Sequence, residues 1–289
     1  MLDIVIETRS HDLGGGFEVG RVLPFRQRRM VGPFVFFDRM GPHDLHAPVP
    51  EQFDVLPHPH IGLATVTYLF QGEMTHRDSL GVEQIIRPGA LNWMMAGSGI
   101  SHSERFDGMR PKGGVIDGIQ AWVALPESHE EAAPTFNHYP PDALPIIDEA
   151  GWQGRLIAGS AYGQSSPSPV YSPLFYLHVQ AGAGAQVPLP DTHPERAAYV
   201  ASGRVEYQGQ TYQPGQMLVF APQATGAIRV VENTQMMLLG GEPVGPRHIW
   251  WNFVSSSKER IEQAKADWQA GRFQLPPHDK DKVIPLPSV

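Results

Sequence analysis

The sequence has no cysteine, little charge and no long apolar run, and each absence excludes a class of protein. Without cysteine, disulfide bonds, thiolate metal sites and cysteine nucleophiles are excluded. No apolar run reaches the roughly 20 residues that span a membrane, and the N-terminus lacks the apolar segment of a signal peptide. A net charge of −8 argues against direct nucleic-acid binding, which requires clustered Lys and Arg. We therefore expect a cytoplasmic protein.

Glycine and proline, in contrast, are abundant, with 30 and 28 residues among 289. Both residue types favour turns, so the composition predicts many short strands instead of long helices. One short helix is expected near the C-terminus. There Ser256 and Glu259 match a capping box and Gly271 follows as a stop signal.

The two halves of the chain repeat one pattern of strand, turn ending in Gly, strand, Pro-Gly turn and strand. Residues 64–70 form the first strand of this pattern in one half, and residues 197–200 form it in the other. Short strands at this spacing predict an antiparallel barrel or jelly roll in each half. We expect an N-terminal domain at 1–133, a Pro-rich linker at 134–145 and a C-terminal domain at 146–289.

The residues best suited to metal binding form two pairs in the first half. Residues i and i+2 of a strand face the same side, so His58 pairs with His60, and His102 pairs with Glu104. A proline precedes each histidine of the first pair and places it at a strand start or a sheet edge. Facing strands would bring three imidazoles and one carboxylate together. We therefore predict one metal ion bound by His58, His60, His102 and Glu104.

Two other residues are alternative ligands. His76 is the main rival, although its neighbours Arg77 and Asp78 favour a role in hydrogen bonding to the site. Glu73, beside a glycine turn, is a more distant alternative to Glu104.

The second half offers a weaker ligand set. His193 and Glu195 stand where the first half has its histidine pair, and no second pair of His or Glu follows residue 222. One histidine and one carboxylate do not close a site. We expect the second barrel to be free of metal.

These strings resemble the pirin family of the cupin superfamily, and the resemblance covers nearly the whole chain. It is carried by residues 37–42, 57–62, 72–79 and 92–104. A general cupin has its glutamate a few residues after the histidine pair, where this chain has no carboxylate. Pirins take the carboxylate from the segment that here spans residues 92–104, which supplies Glu104.

The resemblance implies an all-β fold of two tandem cupin domains, each an antiparallel jelly-roll β-barrel, with a short C-terminal helix. It also implies a mononuclear iron, Fe(II), in the N-terminal barrel, held by the residues that match the family's ligands: His58, His60, His102 and Glu104. The ligand types alone would also suit Mn, Co, Ni, Cu or Zn.

The reaction implied by the resemblance is that of a quercetin 2,3-dioxygenase, reported for several pirins. The metal would lower the pKa of the 3-hydroxyl of a flavonol-like aromatic substrate before its reaction with O₂. Glu104 would accept the proton as a catalytic base, and Phe53, Trp93 and Phe106 could line an apolar pocket.

Two other functions stay open. Eukaryotic pirins suggest a non-enzymatic, iron-responsive co-regulator that binds a protein partner. The other open function is that of a cupin isomerase or lyase, which would convert a small-molecule substrate without consuming oxygen.

Overall fold

Strands dominate the structure, a computed structural model that describes residues 1–14 and 16–287. Twelve strands lie before residue 140 of the described chain: β1 (Leu2–Glu7), β2 (Arg9–Asp12), β3 (Glu18–Leu23), β4 (Phe34–Leu45), β5 (Val55–His60), β6 (Leu63–Gln71), β7 (Met74–Asp78), β8 (Glu83–Ile86), β9 (Leu91–Met95), β10 (Ile100–Arg105), β11 (Gly114–Ala124) and β12 (Thr135–Tyr139).

The described remainder contains eleven strands and one α-helix: β13 (Ile146–Glu149), β14 (Trp152–Ala161), β15 (Gln164–Ser165), β16 (Leu174–Ala181), β17 (Gln186–Pro188), β18 (Glu195–Tyr207), β19 (Gln210–Tyr212), β20 (Gln216–Phe220), β21 (Ala227–Gly241), β22 (His248–Trp250), β23 (Phe253–Ser255) and α1 (Lys258–Gln269). The predicted all-β class with one C-terminal helix is confirmed. No helix within the described residues has the length and apolar character that a membrane crossing requires.

The chain folds as two compact units whose bounds differ from the predicted domains. The first unit comprises Met1–Arg9, Gly20–Phe37 and Pro140–Pro243. Its antiparallel sheet has the order β1-β20-β18-β21-β16-β14-β13, with β15, β17 and β19 attached at its sides. Apolar side chains from most of these strands, among them Phe175 and Leu218, fill one core cluster.

The second unit comprises Ser10–Val19, Asp38–Tyr139 and the tail that begins at Val244. It holds a four-stranded sheet, β5-β10-β7-β8, and a seven-stranded sheet, β12-β9-β6-β11-β4-β3-β2, whose last three strands extend in part into the first unit. Leu69 of the larger sheet and Met74 of the smaller sheet belong to one apolar cluster. The two sheets therefore enclose the interior of a barrel.

The C-terminal tail packs in the unit that carries the histidine pairs, whereas the sequence analysis assigned it to the other half. Ile261 and Trp268 of α1 are buried against Ile61 and Phe253. Further along, Asp279 accepts hydrogen bonds from Ser103 Oγ at 2.6 Å and from Arg105 Nε at 2.7 Å. The tail thus covers the outward side of β10. The domain bounds drawn from the sequence remain a prediction.

The helix begins one residue later than the capping box predicts. Ser257 is the N-cap, and its Oγ accepts the backbone N–H of Arg260 at 3.2 Å. Ser256 donates its own N–H and Oγ–H to the Glu130 carboxylate instead. Because these two bonds engage Ser256, Ser257 is the residue that caps the helix.

We expect Ser257→Ala to lower the free energy of unfolding by about 1 kcal/mol, since an alanine leaves the N–H of Arg260 without its acceptor. Urea unfolding monitored by circular dichroism measures the loss. Ser10→Ala, at an exposed serine in a strand of the same unit, is the matched control. A loss no larger than that of the control would contradict the assignment of the cap.

Candidate metal centre

The four-stranded sheet places the two histidine pairs on neighbouring strands. His58 and His60 occupy the end of β5, and His102 lies on β10. In the antiparallel register His102 lies opposite His58, and His60 lies opposite Ile100. Because alternate residues share a face, the three imidazoles project to the same side of the sheet.

These three imidazoles converge. His58, His60 and His102 each offer one ligand atom, and these atoms all lie within 4.8 Å of one another. The Nε2 atoms of His60 and His102 are 3.1 Å apart. All three residues are buried, with at most 6% of their surface exposed. The structure therefore brings together three of the four predicted ligands in one buried cluster.

Backbone carbonyls determine which nitrogen of His58 and His60 carries hydrogen. His58 Nδ1–H donates to the carbonyl oxygen of Leu56 at 2.8 Å, and His60 Nδ1–H donates to that of Asn252 at 3.1 Å. With hydrogen on Nδ1, each neutral ring has its lone pair on Nε2. These lone pairs point into the cluster, where a cation would bind them.

Burial keeps the imidazoles neutral. Loss of hydration lowers the pKa of His58 to about 4 and lowers the pKa values of His60 and His102 well below their ordinary range. Repulsion among the rings adds to the effect. Neutral rings can donate their lone pairs at neutral pH, so the nitrogen set fits a divalent first-row transition metal.

Glu104 is buried on the same strand but lies outside the three-histidine cluster. A register irregularity between β10 and β5 separates His102 from Glu104, which pairs with Val55. Gln120 Nε2–H donates to Glu104 Oε1 at 3.4 Å, and Gln120 Oε1 accepts the Thr67 hydroxyl at 2.6 Å. Burial raises the pKa of Glu104 to about 7. Its role as a metal ligand stays a prediction.

The rival ligands have other partners. Glu73 pairs with Lys112 Nζ at 3.2 Å and with Arg87 Nε at 3.8 Å. His76 lies behind His102, with their Nδ1 atoms 3.3 Å apart. It therefore contacts a member of the cluster on the side away from the cluster's centre.

In the first unit, the histidine and the carboxylate of the second half are also engaged. His193 Nε2–H donates to the carbonyl oxygen of Ser160 at 3.1 Å. Glu195 forms an ion pair with Arg28 at 3.1 Å. Neither residue belongs to the His58, His60 and His102 cluster.

The lining of an apolar pocket by Phe53, Trp93 and Phe106 stays a prediction. Phe53 and Phe106 pack on Phe17, with ring centroids 5.9 and 5.6 Å apart, in the apolar core. The aromatic contact to the cluster comes from Trp122, whose ring meets His60 edge-on at 5.2 Å.

Sequence reasoning identified Asp78 only as a neighbour that favours hydrogen bonding by His76, and it missed Gln120. His76 and Asp78 form a third i, i+2 pair, on β7, and that pattern could have revealed their direct contact. Gln120 had no such signal, because it reaches Glu104 from the facing sheet.

Comparison with known proteins gives consistent matches along the chain. Residues 16–123 match the family model described as Pirin, and residues 176–274 match that described as Pirin C-terminal cupin domain. A pirin-like protein of Caulobacter vibrioides is 58% identical over 289 residues, which is the full length of both chains.

Two solved structures extend the comparison. A quercetin 2,3-dioxygenase from Acinetobacter baumannii is 33% identical, with a TM-score of 0.90, covering 99% of this chain and 95% of that one. A bacterial pirin from Escherichia coli in complex with nickel(II) is 15% identical, with a TM-score of 0.63, covering 83% and 99%. The second likeness shows the fold alone.

Proposed function

The chain belongs to the pirin family, and from that premise we propose that it is a metal-dependent dioxygenase that opens the ring of a flavonol such as quercetin. The observation that carries this proposal is the buried cluster of His58, His60 and His102 with their ligand atoms within 4.8 Å of one another. The likeness to a quercetin 2,3-dioxygenase along nearly the full chain supports the substrate class.

We propose that the metal is a single Fe(II), held by the three histidines with Glu104 as the fourth ligand. The nitrogen and carboxylate donors suit iron among other first-row metals, and the family supplies the preference for iron. When bound, this metal would stabilise the ionised 3-oxygen of the flavonol and support its reaction with dioxygen.

Glu104 is suited to accept the proton of the substrate's 3-hydroxyl. In the metal-free protein burial raises the pKa of Glu104 to about 7, so this buried site makes the carboxylate a better proton acceptor than an exposed glutamate. Gln120 keeps one carboxylate oxygen in place, and the Thr67 hydroxyl fixes the orientation of the Gln120 amide. The Glu104 carboxylate is therefore held on β10, the strand that also carries His102.

Aromatic rings shield the cluster and its neighbour from water. Buried Trp122 covers His60, and half-buried Phe136 stacks on His76 with centroids 4.4 Å apart. In an environment with little water, charge interactions with an ionised substrate oxygen are stronger than they are in bulk solvent.

The test is a paired assay of quercetin loss and oxygen uptake on protein loaded with Fe(II) and on the metal-free protein. We expect both signals to require iron and to proceed in equal amounts. Quercetin loss of equal rate in metal-free protein would overturn the proposal. Turnover without oxygen uptake would favour an isomerase or lyase, and full iron loading without turnover would favour the non-enzymatic co-regulator.

We expect Glu104→Gln to keep the three histidines and their metal while lowering the turnover number by about 100-fold or more, because the amide accepts no proton. Steady-state oxygen uptake of the Fe(II)-loaded protein measures the effect.

Glu73→Gln is the matched control, since Glu73 forms ion pairs with Lys112 and Arg87 outside the cluster. It should leave the turnover number near wild type. A Glu104→Gln variant with the wild-type turnover number would contradict the role of Glu104 as base.

A further inference from the structure

A third strand, β7, lies beside β10 and carries two more buried ionisable side chains. Strand β7 pairs with β10 so that Asp78 stands opposite His102 and His76 stands opposite Glu104. His76 and Asp78 are buried, with 4% and 0% of their side chains exposed. A buried carboxylate and a buried imidazole therefore adjoin a member of the histidine cluster.

Side-chain contacts connect these residues in series. His76 Nε2 lies 3.0 Å from Asp78 Oδ2, and His76 Nδ1 lies 3.3 Å from His102 Nδ1. Asp78 Oδ1 accepts the backbone N–H groups of Leu80 at 2.9 Å and of Val82 at 3.1 Å. The turn after β7 thus holds the carboxylate, and the carboxylate holds the imidazole.

The ring nitrogen that carries hydrogen in each imidazole of this series follows from the Asp78 carboxylate at its end. A carboxylate only accepts, so His76 carries its hydrogen on Nε2 and donates it to Asp78. The lone pair of His76 is then on Nδ1, where it accepts the Nδ1–H of His102. That arrangement leaves the lone pair of His102 on Nε2, the atom that lies 3.1 Å from His60 Nε2.

We propose that His76 and Asp78 are positioning residues of the metal centre, which fix the Nδ1–H form of His102 and aim its Nε2 at the metal. The inference rests on the metal site of the proposed function and is independent of the reaction catalysed there. His58 and His60 obtain the same form from backbone carbonyls. Of the three, only His102 has its tautomer set by a side chain, so a substitution can change that tautomer.

Asp78→Asn is the sharpest variant because it keeps the shape and inverts the polarity. The N–H groups of Leu80 and Val82 require an oxygen, so the amide NH₂ would face His76. His76 would then accept on Nε2 and carry hydrogen on Nδ1, opposite the Nδ1 of His102. To avoid two facing hydrogens, His102 would shift its own hydrogen to Nε2, where the metal binds.

We expect Asp78→Asn and His76→Phe to weaken Co(II) binding by about 10- to 100-fold, the usual effect of removing a partner of a metal-bound histidine. His76→Gln, whose amide oxygen can still accept from His102, should lose less than His76→Phe. Arg77→Gln is the control, because Arg77 lies between the two on the same strand and pairs with Glu83 and Asp107 outside the cluster.

Co(II) affinity is measured by visible absorption in competition with a chelator, without flavonol or oxygen. Thermal unfolding of each metal-free variant confirms folding. Affinities of His76→Phe and Asp78→Asn equal to wild type would overturn the proposal, as would an equal loss in Arg77→Gln.

A second measurement applies even where a variant fails to fold. In wild-type protein loaded with Zn(II), long-range ¹H–¹⁵N correlation spectra distinguish the ring nitrogen that carries hydrogen from the one that does not. We expect hydrogen on Nδ1 of His102 and on Nε2 of His76. Hydrogen on Nδ1 of His76 would overturn the inference, whatever the activity of the protein proves to be.

Discussion

Replacing His58 and His60 together by alanine should abolish metal binding, from about one transition-metal ion per chain to the background of a protein without a site. The substitution removes two of the three imidazoles whose ligand atoms lie within 4.8 Å of one another. One histidine remaining, even with Glu104, gives too few donors to hold a first-row metal against water and chelators. Elemental analysis after dialysis against a weak chelator measures the metal content.

The control for this prediction is His46→Ala, which removes an exposed histidine of the same unit. It should retain the full metal content and the iron-dependent oxygen uptake. If the double variant kept one metal ion per chain while its fold was intact, the three-histidine site would be wrong. Flavonol turnover that persists in the double variant would separately refute the metal-dependent reaction.

Strand periodicity explains why three ligands could be predicted from the sequence. An i, i+2 pair shares one face of a strand whatever the details of the fold, so His58 and His60 required only that residues 55–60 form a strand. His102 then needed to lie on a neighbouring strand, and the register places it opposite His58. The repeated turn pattern likewise predicted the strands themselves, since turn residues act locally.

The strand partner of Glu104 is a detail that periodicity does not predict. Glu104 belongs to an i, i+2 pair with His102, and a strict register would set it opposite Leu56. The structure sets it opposite Val55, after an irregularity in the pairing, and an irregularity of this kind redirects side chains. Such a shift depends on the pairing of two strands and has no signature in either strand alone.

The tail illustrates a second limit of the sequence. The amphipathic spacing of Ile261, Ala264 and Trp268 predicts a packed helix face, and the structure buries all three. The spacing does not state which surface receives that face. Ile61 and Phe253 receive it, and Ile61 lies far from the helix in the sequence.

We expect the metal-free protein to become less stable as the pH falls from 6.5 toward 4, because the folded state holds three histidines neutral. For His58 the pKa is about 4 in the folded chain and 6.5 in the unfolded chain. Between these values the unfolded chain binds a proton that the folded chain does not, so the free energy of unfolding rises with pH by about 1.4 kcal/mol per unit. His58 alone contributes about 3 kcal/mol across the window, and His60 and His102 act in the same direction.

Glu104 opposes this trend and supplies the internal control. Its pKa is about 7 in the folded chain against 4.5 in the unfolded chain, so between these values the folded state keeps a proton that the unfolded state releases. That contribution to stability is complete below pH 4.5 and is lost as the pH rises through 7. Because three imidazoles outweigh one carboxyl, the net free energy of unfolding still increases from pH 4.5 to 6.5. Urea unfolding of the metal-free protein across this range should show the rise, and Glu104→Gln should make it steeper by up to about 1.4 kcal/mol per pH unit. A wild-type profile that is flat over this range would mean that the imidazoles are charged or solvated, and that the cluster is not the buried neutral site that metal binding requires.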